Sequence, residues 1–411
     1  MEEIRVLLVD DNAELRRTIQ EQLNKQEGLH VIGECANGLE ALEALGKSRV
    51  DVMVLDIIMP QMDGYALRAA DIAAASEGAP VRLSVSQRIA AGTTGTELAP
   101  GTCARIFTGA PMPAGADCVV PQEDVTAESG IVVFTRPAPA GAWVRKKAGD
   151  VDQGQTVAHA GEKLTPGILG LIASVGAAFV TVYKPLKVAV FFSGSELTMP
   201  GEALPPGGIY NSNRYTLRAL LKGLNCEVYD LAGVTDSFEK TKEALSKAAD
   251  TADIIITSGG MSVGEEDHIK PAVKALGRID MWRVSLKPGK PVALGEVKGV
   301  PFIGLPGNPV SVFVTFLMLA RPFILRCQGM KHVEAQPLSV RADFAWTKKG
   351  DRQEFVRVRR NAKGGLDLYP TQNSQILTSC AWADGLADIP AGTSVAEGDF
   401  VSYYPFRDLF I

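Results

Sequence analysis

The 411-residue chain predicts a multidomain α/β protein: a β insert interrupts a core segment, a doubly wound parallel-sheet domain follows, and a small β domain ends the order. Three observations carry this reading. Apolar runs alternate with amphipathic helices over 1–61 and again over 186–332. Short β-type runs broken by glycine and proline fill 81–145 and 333–411. The 41 glycines and 24 prolines stand as punctuation between periodic segments.

Residues 1–61 read as the strand IRVLLVDD, a helix from Ala13 to Gln26 capped by Asn12, the strand HVIGECA, a helix from Gly38 to Lys47, and the strand VDVMVLD. Apolar strands separated by amphipathic helices imply parallel pairing with helices on the faces. Segments 62–80 and 146–185 form a core or linker domain around the 81–145 insert, whose strands include CARIFTG, DCVVPQ and GIVVFTR. Leu164 to Gly176 reads as a helix capped by Thr165, and AAFVTVY as a strand after it. Over 186–332 come KVAVFFSG, helix Asn213 to Leu224, CEVYDLAG, helix Phe238 to Ala248, ADIIITSGG, helix His268 to Leu276, DMWRVSL, VPFIGLPG and helix Val310 to Gly329. EFVRVRR, LDLYP and DFVSYYP make 333–411 a small barrel or sandwich.

Composition narrows the function. With 42 Lys+Arg against 47 Asp+Glu the net charge is −5, so no global basic field draws in nucleic acid or an anionic membrane. An anionic ligand must be held by a local site. Six scattered cysteines without a CxxC pair read as reduced, mostly buried thiols. The acidic start MEEIRVLLVDD lacks a secretory pattern, and the charge-free run Gly167 to Tyr183 falls short of the ~20 apolar residues of a spanning helix. A cytoplasmic protein is expected. The four histidines have no metal-ligand spacing.

Ligands of parallel α/β sheets bind at the carboxyl ends of strands, and four post-strand turns are rich in polar groups. The first is Ser193-Gly194-Ser195-Glu196. The second runs from Ser258 through Gly259, Gly260, Ser262 and Gly264 to Asp267; its glycines let backbone approach a ligand, and amides near a helix start can cradle a phosphate. Asp267 alone is as well read as a helix cap. With Glu196 and Asp236 in equivalent turns, three carboxylates meeting at one crevice would repel unless a divalent cation joined them, which points to Mg²⁺. The third turn, Lys287-Pro288-Gly289-Lys290-Pro291, places two ammonium groups on a stiff loop suited to an oxyanion; as an isolated sequence it is also a solvated basic turn. In the fourth, Pro306 and Pro309 flank Gly307-Asn308 before Ser311, stiffer than a helix start requires. Thr108 and Asp150 follow short strands and are not distinctive by themselves.

Taken in order, MDGYALRAADIA (62–73), RIFTGAPMPAGAD (105–117), RKKAGD (145–150), SGSEL (193–197), TSGGMSVGEEDHIK (257–270), LKPGKP (286–291) and GLPGNPVS (304–311) resemble the molybdopterin molybdenumtransferases, the MoeA and gephyrin E-domain family. The resemblance runs from Met62 to the C-terminus. It implies an enzyme that takes adenylylated molybdopterin and molybdate, inserts the metal and releases AMP, working with Mg²⁺ as a homodimer whose site lies in an intersubunit cleft. Asp63, Thr108, Asp150, Glu196, Asp236, Asp267, Lys287, Lys290, Pro306, Pro309 and Ser311 match motif positions of that cleft. In those roles Glu196, Asp236 and Asp267 hold Mg²⁺, Lys287 and Lys290 attract oxyanions, and Ser258 to Gly264 receive the pterin end. A molybdopterin adenylyltransferase is the implied partner.

The first 61 residues instead resemble the opening half of a response-regulator receiver domain, with Asp10 and Asp11 as its acidic pair and Asp56 as phosphoacceptor. The later receiver strands do not follow, which leaves an unpaired sheet edge and Asp56 without its lysine. Met62-Asp63-Gly64-Tyr65 is where the two resemblances meet. Two further readings therefore stand beside the transferase: a phospho-regulated protein, and a non-catalytic molybdopterin-binding protein.

Overall fold

The computed structural model describes residues 4–9, 13–26, 28–35, 40, 44, 47, 50–55, 63–146, 149–234, 237–260, 268–281 and 283–410. They fall into two compact units, Met1–Gly154 and Gln155–Ile411.

In the first unit Ile4–Val9 lies between Leu29–Cys35 and Val52–Leu55, parallel to both. This second-first-third order is the opening of a doubly wound sheet, as expected for 1–61. Alternation places Val6 and Leu8 with Ile19 and Leu23 of the helix Ala13–Leu23, and Leu7 and Val9 on the other face. Asp10, Asp11 and Asp56 lie outside the described residues.

The second sheet of this unit has six strands in the order Cys118–Pro121, Gly64–Leu67, Thr102–Ile106, Val81–Ile89, Ile131–Phe134, Thr126–Glu128. It corrects one expected boundary. Gly64–Leu67 belongs to the 62–80 segment assigned to the core domain, yet it pairs on both sides with insert strands and all four of its residues are buried. Two filled ladders make it an interior strand of the insert sheet. Gly64 is required there by contact: a Cβ would sit 2.4 Å from the Val120 carbonyl oxygen.

The second unit begins its regular structure with helix Pro166–Ser174, started by Thr165, whose hydroxyl accepts from the Ile168 N–H. The strand expected from AAFVTVY does not form. Residues 177–186 make no ladder and Phe179 is 95% exposed, because β-branched residues form a strand only where a neighbouring strand completes the pairing. Val180–Pro185 instead help line a cavity of about 800 Å³.

The large sheet runs Glu227–Val234, Lys187–Ser193, Ile254–Ser258, Val300–Leu305, Ala293–Val297, Gly277–Met281. Its first four strands are parallel to one another, and Ala293–Val297 pairs antiparallel with both its neighbours, Val300–Leu305 and Gly277–Met281. The strand placed at DMWRVSL shifts to Gly277–Met281, and Ala293–Val297 is an addition to the expected set. Both faces are covered, which is why these strands read as continuous apolar runs. Val188, Val190 and Ile256 pack with Leu217, Leu221 and Val314, while Ala189, Phe191 and Ile255 pack with Leu245 and Ala272.

Helix Pro309–Thr315 continues through a π turn, Phe316–Ala320, into Arg321–Cys327. By length and composition it passes for a membrane span, but 67% of it is buried inside the protein, so it is a core helix. The C-terminal sheet is ordered Leu286–Lys287, Gln353–Arg360, Gly385–Ile389, Phe400–Pro405, Leu338–Arg341, with Leu366–Leu368 beside Gln353–Arg360. Its first strand is lent by the preceding domain.

All six cysteines are unpaired and only Cys327 is exposed. Burial pushes the thiols of Cys103, Cys226 and Cys380 up to about 11, and burial with Asp117 beside it does the same for Cys118. A thiol reagent at pH 8 is therefore expected to modify Cys327 in the native protein and the other five only after unfolding; rapid labelling of any of those five, read by peptide mass, would contradict the burial. Gly64→Ala is expected to cost about 1–3 kcal/mol in denaturant unfolding, since the new methyl meets backbone rather than a movable side chain.

Candidate functional site

Lys187–Ser193 is the first strand of its domain, yet it lies between the second, Glu227–Val234, and the third, Ile254–Ser258. Connections that leave a strand toward opposite sides open a crevice beyond its carboxyl end, here beside Ser193 and Ser258. The glycines that follow are dictated by crowding. Gly259 has φ +90°, and a Cβ on it would lie 2.3 Å from the Ser193 carbonyl oxygen. The exposed Glu196 side chain folds back over Gly194, its oxygens 2.6 and 2.7 Å from where a Cβ would stand. The first and second turns are thus brought together.

The fourth turn joins them. The Ser258 hydroxyl donates to the Pro306 carbonyl at 3.0 Å, and the Gly259 N–H donates to the Leu305 carbonyl at 3.3 Å. Asn213, in the first turn of helix Ser212–Gly223, donates from its amide to Ser258 Oγ at 3.0 Å and to the Gly307 carbonyl at 2.7 Å. Pro309 opens its helix at the first position, and Ser311 is buried one turn in.

The third turn packs on the same helix: a Cβ on Gly289 would meet Thr315 Cγ2 at 2.2 Å. Lys287 does not stand free. Its ammonium pairs with Glu354 at 3.0 Å, across the short parallel pairing of Leu286–Lys287 with Gln353–Glu354. The lysine side chain is 42% exposed and the glutamate 5%. Lys290 is exposed, with no ion pair among the described residues. Arg357, wholly buried, hydrogen-bonds only neutral oxygens: Ser379 Oγ at 3.2 Å and the Phe355 and Asn373 carbonyls. Next in the chain, Ser374 accepts from Asn308 Nδ2 at 3.2 Å, and its carbonyl accepts from the Val310 N–H at 3.1 Å. Lys290 is thus the exposed cation of this turn, while Lys287 is paired with Glu354.

In the first unit Asp63 and Thr108 meet. The Asp63 carboxylate accepts from the Thr108 backbone N–H at 3.2 Å and pairs with Arg105 at 3.5 Å. Arg105 also stacks over Tyr65 and Phe107. Asp150 is exposed and makes no described contact with that pair.

Asp236, Ser262, Gly264 and Asp267 lie outside the described residues. The N-cap of helix Ile269–Leu276 is His268, without a side-chain cap bond. Among the described residues no three His, Cys, Asp or Glu side chains converge as a metal site. Glu196 by itself offers exposed carboxylate oxygen, the donor type that Mg²⁺ takes.

Sequence reasoning missed Asn213, Glu354, Arg357 and Ser374. Asn213 follows the short strand Ile209–Tyr210 in a polar post-strand turn, the same signal that marked the other turns. Glu354 and Arg357 carry their signal as charges inside the strand run EFVRVRR.

Losing Lys287 would strand the buried Glu354. Lys287→Met is expected to destabilise the protein by about 1–3 kcal/mol, the partly exposed pair being worth less than a fully buried one. Adding Glu354→Gln should restore most of that loss; additive losses in the unfolding of both single variants and the double variant would show that the pair does not couple.

Three family descriptions cover the chain beyond the receiver-like segment: the MoeA N-terminal region (domain I and II) at 59–176, a probable molybdopterin binding domain at 189–326, and the MoeA C-terminal region (domain IV) at 339–406. The response regulator receiver domain matches 6–89. The molybdopterin molybdenumtransferase of Haemophilus influenzae is 40% identical over 356 residues, 85% of this chain and 87% of that protein. Molybdopterin molybdenumtransferase 2 of Mycobacterium tuberculosis is 36% identical over 337 residues, 80% and 83% of the two chains. Among solved structures, a molybdopterin biosynthesis MoeA protein of Pyrococcus horikoshii superposes with TM-score 0.71 at 33% identity, over 84% of this chain and 87% of that one. The crevice and the two-lysine turn thus stand within a chain that belongs to the molybdopterin molybdenumtransferase (MoeA) family, preceded by a receiver-like segment.

Proposed function

We propose that the chain inserts molybdenum into molybdopterin, taking adenylylated molybdopterin and molybdate and releasing AMP. The observation that carries this is the junction of the Ser258–Gly260 turn with the Pro306–Ser311 turn, which links a crevice suited to the pterin and its phosphate to the helix on which the two-lysine turn packs, the turn suited to a tetrahedral oxyanion.

Gly259 and Gly260 leave backbone exposed to a ligand, where a side chain would collide with Ser193 or Ile269. Lys290 is the exposed cation of the stiff loop, and Lys287, Glu354 and Arg357 set the charge behind it. Glu196, with Asp236 and Asp267, would hold Mg²⁺, which neutralises phosphate charge when bound. Asp63, Thr108 and Asp150 belong to the same reading by their motif positions. No protein nucleophile is required, since positioned oxyanions and fixed cations can carry the exchange.

We also infer a cytoplasmic homodimer with a composite cleft, supplied by a molybdopterin adenylyltransferase. The phospho-regulated reading draws on the receiver match at 6–89, but Gly64–Leu67 and Val81–Ile89 within that span are committed to the insert sheet. That favours the transferase.

The test is AMP release from adenylylated molybdopterin by the full-length protein, with and without molybdate and Mg²⁺, with oligomeric state recorded on the same sample. Release that depends on both is expected; pterin binding without release would return the non-catalytic reading. Lys290→Ala should raise the molybdate concentration needed for half-maximal release about tenfold while changing pterin affinity less than about twofold. Equal losses in both would reassign Lys290.

A further inference from the structure

The Asn213 amide is oriented by its neighbours. The Gly307 carbonyl can only accept a hydrogen bond, and the Ser258 hydroxyl gives its single proton to the Pro306 carbonyl at 3.0 Å, so toward Asn213 it too accepts. Both contacts therefore take N–H groups from Asn213 Nδ2. No flipped arrangement satisfies them, because it would set Oδ1 against two acceptors. The opposite end of the amide is thereby fixed. Asn213 Oδ1 is shielded from solvent and has no hydrogen-bond partner among the described residues.

A buried acceptor without a donor is unfavourable, and a ligand that brings the donor removes the deficit on binding. This one stands at the carboxyl end of Ile254–Ser258 and Val300–Leu305, between the two turns that bound the crevice. We propose that Asn213 is a substrate-specifying residue whose Oδ1 accepts a hydrogen bond from the aminopyrimidine edge of the pterin, from the 2-amino group or N3–H. The assignment rests on the pterin reading given above. It selects a heterocycle that presents N–H at that edge and disfavours one that presents only acceptors, since a site built to pair a donor rejects the analogue lacking it.

The test compares three ring probes by calorimetric titration of the full-length protein: 6-hydroxymethylpterin, its analogue without the 2-amino group, and its N3-methyl analogue. The wild-type protein is expected to bind 6-hydroxymethylpterin about tenfold more tightly than at least one analogue, about 1.4 kcal/mol. In Asn213→Ala that ratio should fall to about one. Asn213→Ser, which keeps a short donor for the turn, should lose the ratio as well, and unchanged melting of either variant shows that the fold is kept. A role confined to holding the turn would weaken all three probes in parallel and leave the ratio intact, which overturns the proposal. Equal binding of the three probes by the wild type overturns it too. Failure of the wild type to bind any pterin ring would bring down the reading of the crevice as a pterin site, and this proposal with it; the two failures are thus distinct.

Discussion

Lys187–Ser193 has a parallel neighbour on each side, and the crevice of the second unit depends on that one placement. Because its neighbours Glu227–Val234 and Ile254–Ser258 lie on opposite sides of it, the turns after Ser193 and Ser258 border the kind of crevice that such a switch in strand order opens. Crowding then dictates composition. The Ser193 carbonyl leaves Gly259 no room for a side chain, and Ile269 leaves Gly260 none. Among the described residues, backbone and small hydroxyls therefore line this end, groups that can hydrogen-bond a ligand at short range.

The neighbouring end is held by a different force. Arg357 is buried with neutral partners, and Glu354 is buried against a half-exposed lysine, so charge is kept out of water where packing alone would have used apolar side chains. Such groups lower stability unless something else requires them. One Arg357 hydrogen bond ends on the Asn373 carbonyl, and the next residue, Ser374, fixes Asn308 and Val310 at the start of the core helix. The C-terminal sheet thereby sets the position of the same turn that Ser258 and Asn213 hold from the other side. Cation placement and crevice shape are two consequences of one set of contacts.

The parts of this arrangement legible in the sequence are those whose cause is local. Continuous apolar runs gave the parallel strands, small residues after them gave the turns, and the Thr165 cap was readable from one hydroxyl before Pro166. Asn213 and Glu354 were not, because each acquires its role from a residue 45 or 67 positions away. AAFVTVY failed in the opposite sense: its local preference is for strand, but the strand state needs a hydrogen-bonding neighbour that local preference cannot supply. A boundary placed at 80/81 missed the insert sheet for the same reason, since Gly64–Leu67 is defined by partners some forty and fifty residues on.

The tetrapeptide shared by the two resemblances can be assigned by sterics. Within the insert sheet Gly64 faces the Val120 carbonyl at a distance that excludes any Cβ, and Asp63 places its carboxylate on the Thr108 N–H and beside Arg105. Every one of these partners lies at or beyond residue 105, so the demand for Asp-Gly at 63–64 comes from the transferase-like sheet. A receiver that used the same stretch would require Val81–Ile89 as well, and that strand is already paired with Thr102–Ile106 on one side and Ile131–Phe134 on the other. A strand has two edges, and both are taken. The receiver-like segment is thus limited to the three parallel strands before residue 56, whose outer edges, Leu29–Cys35 and Val52–Leu55, gain no further partner among the described residues.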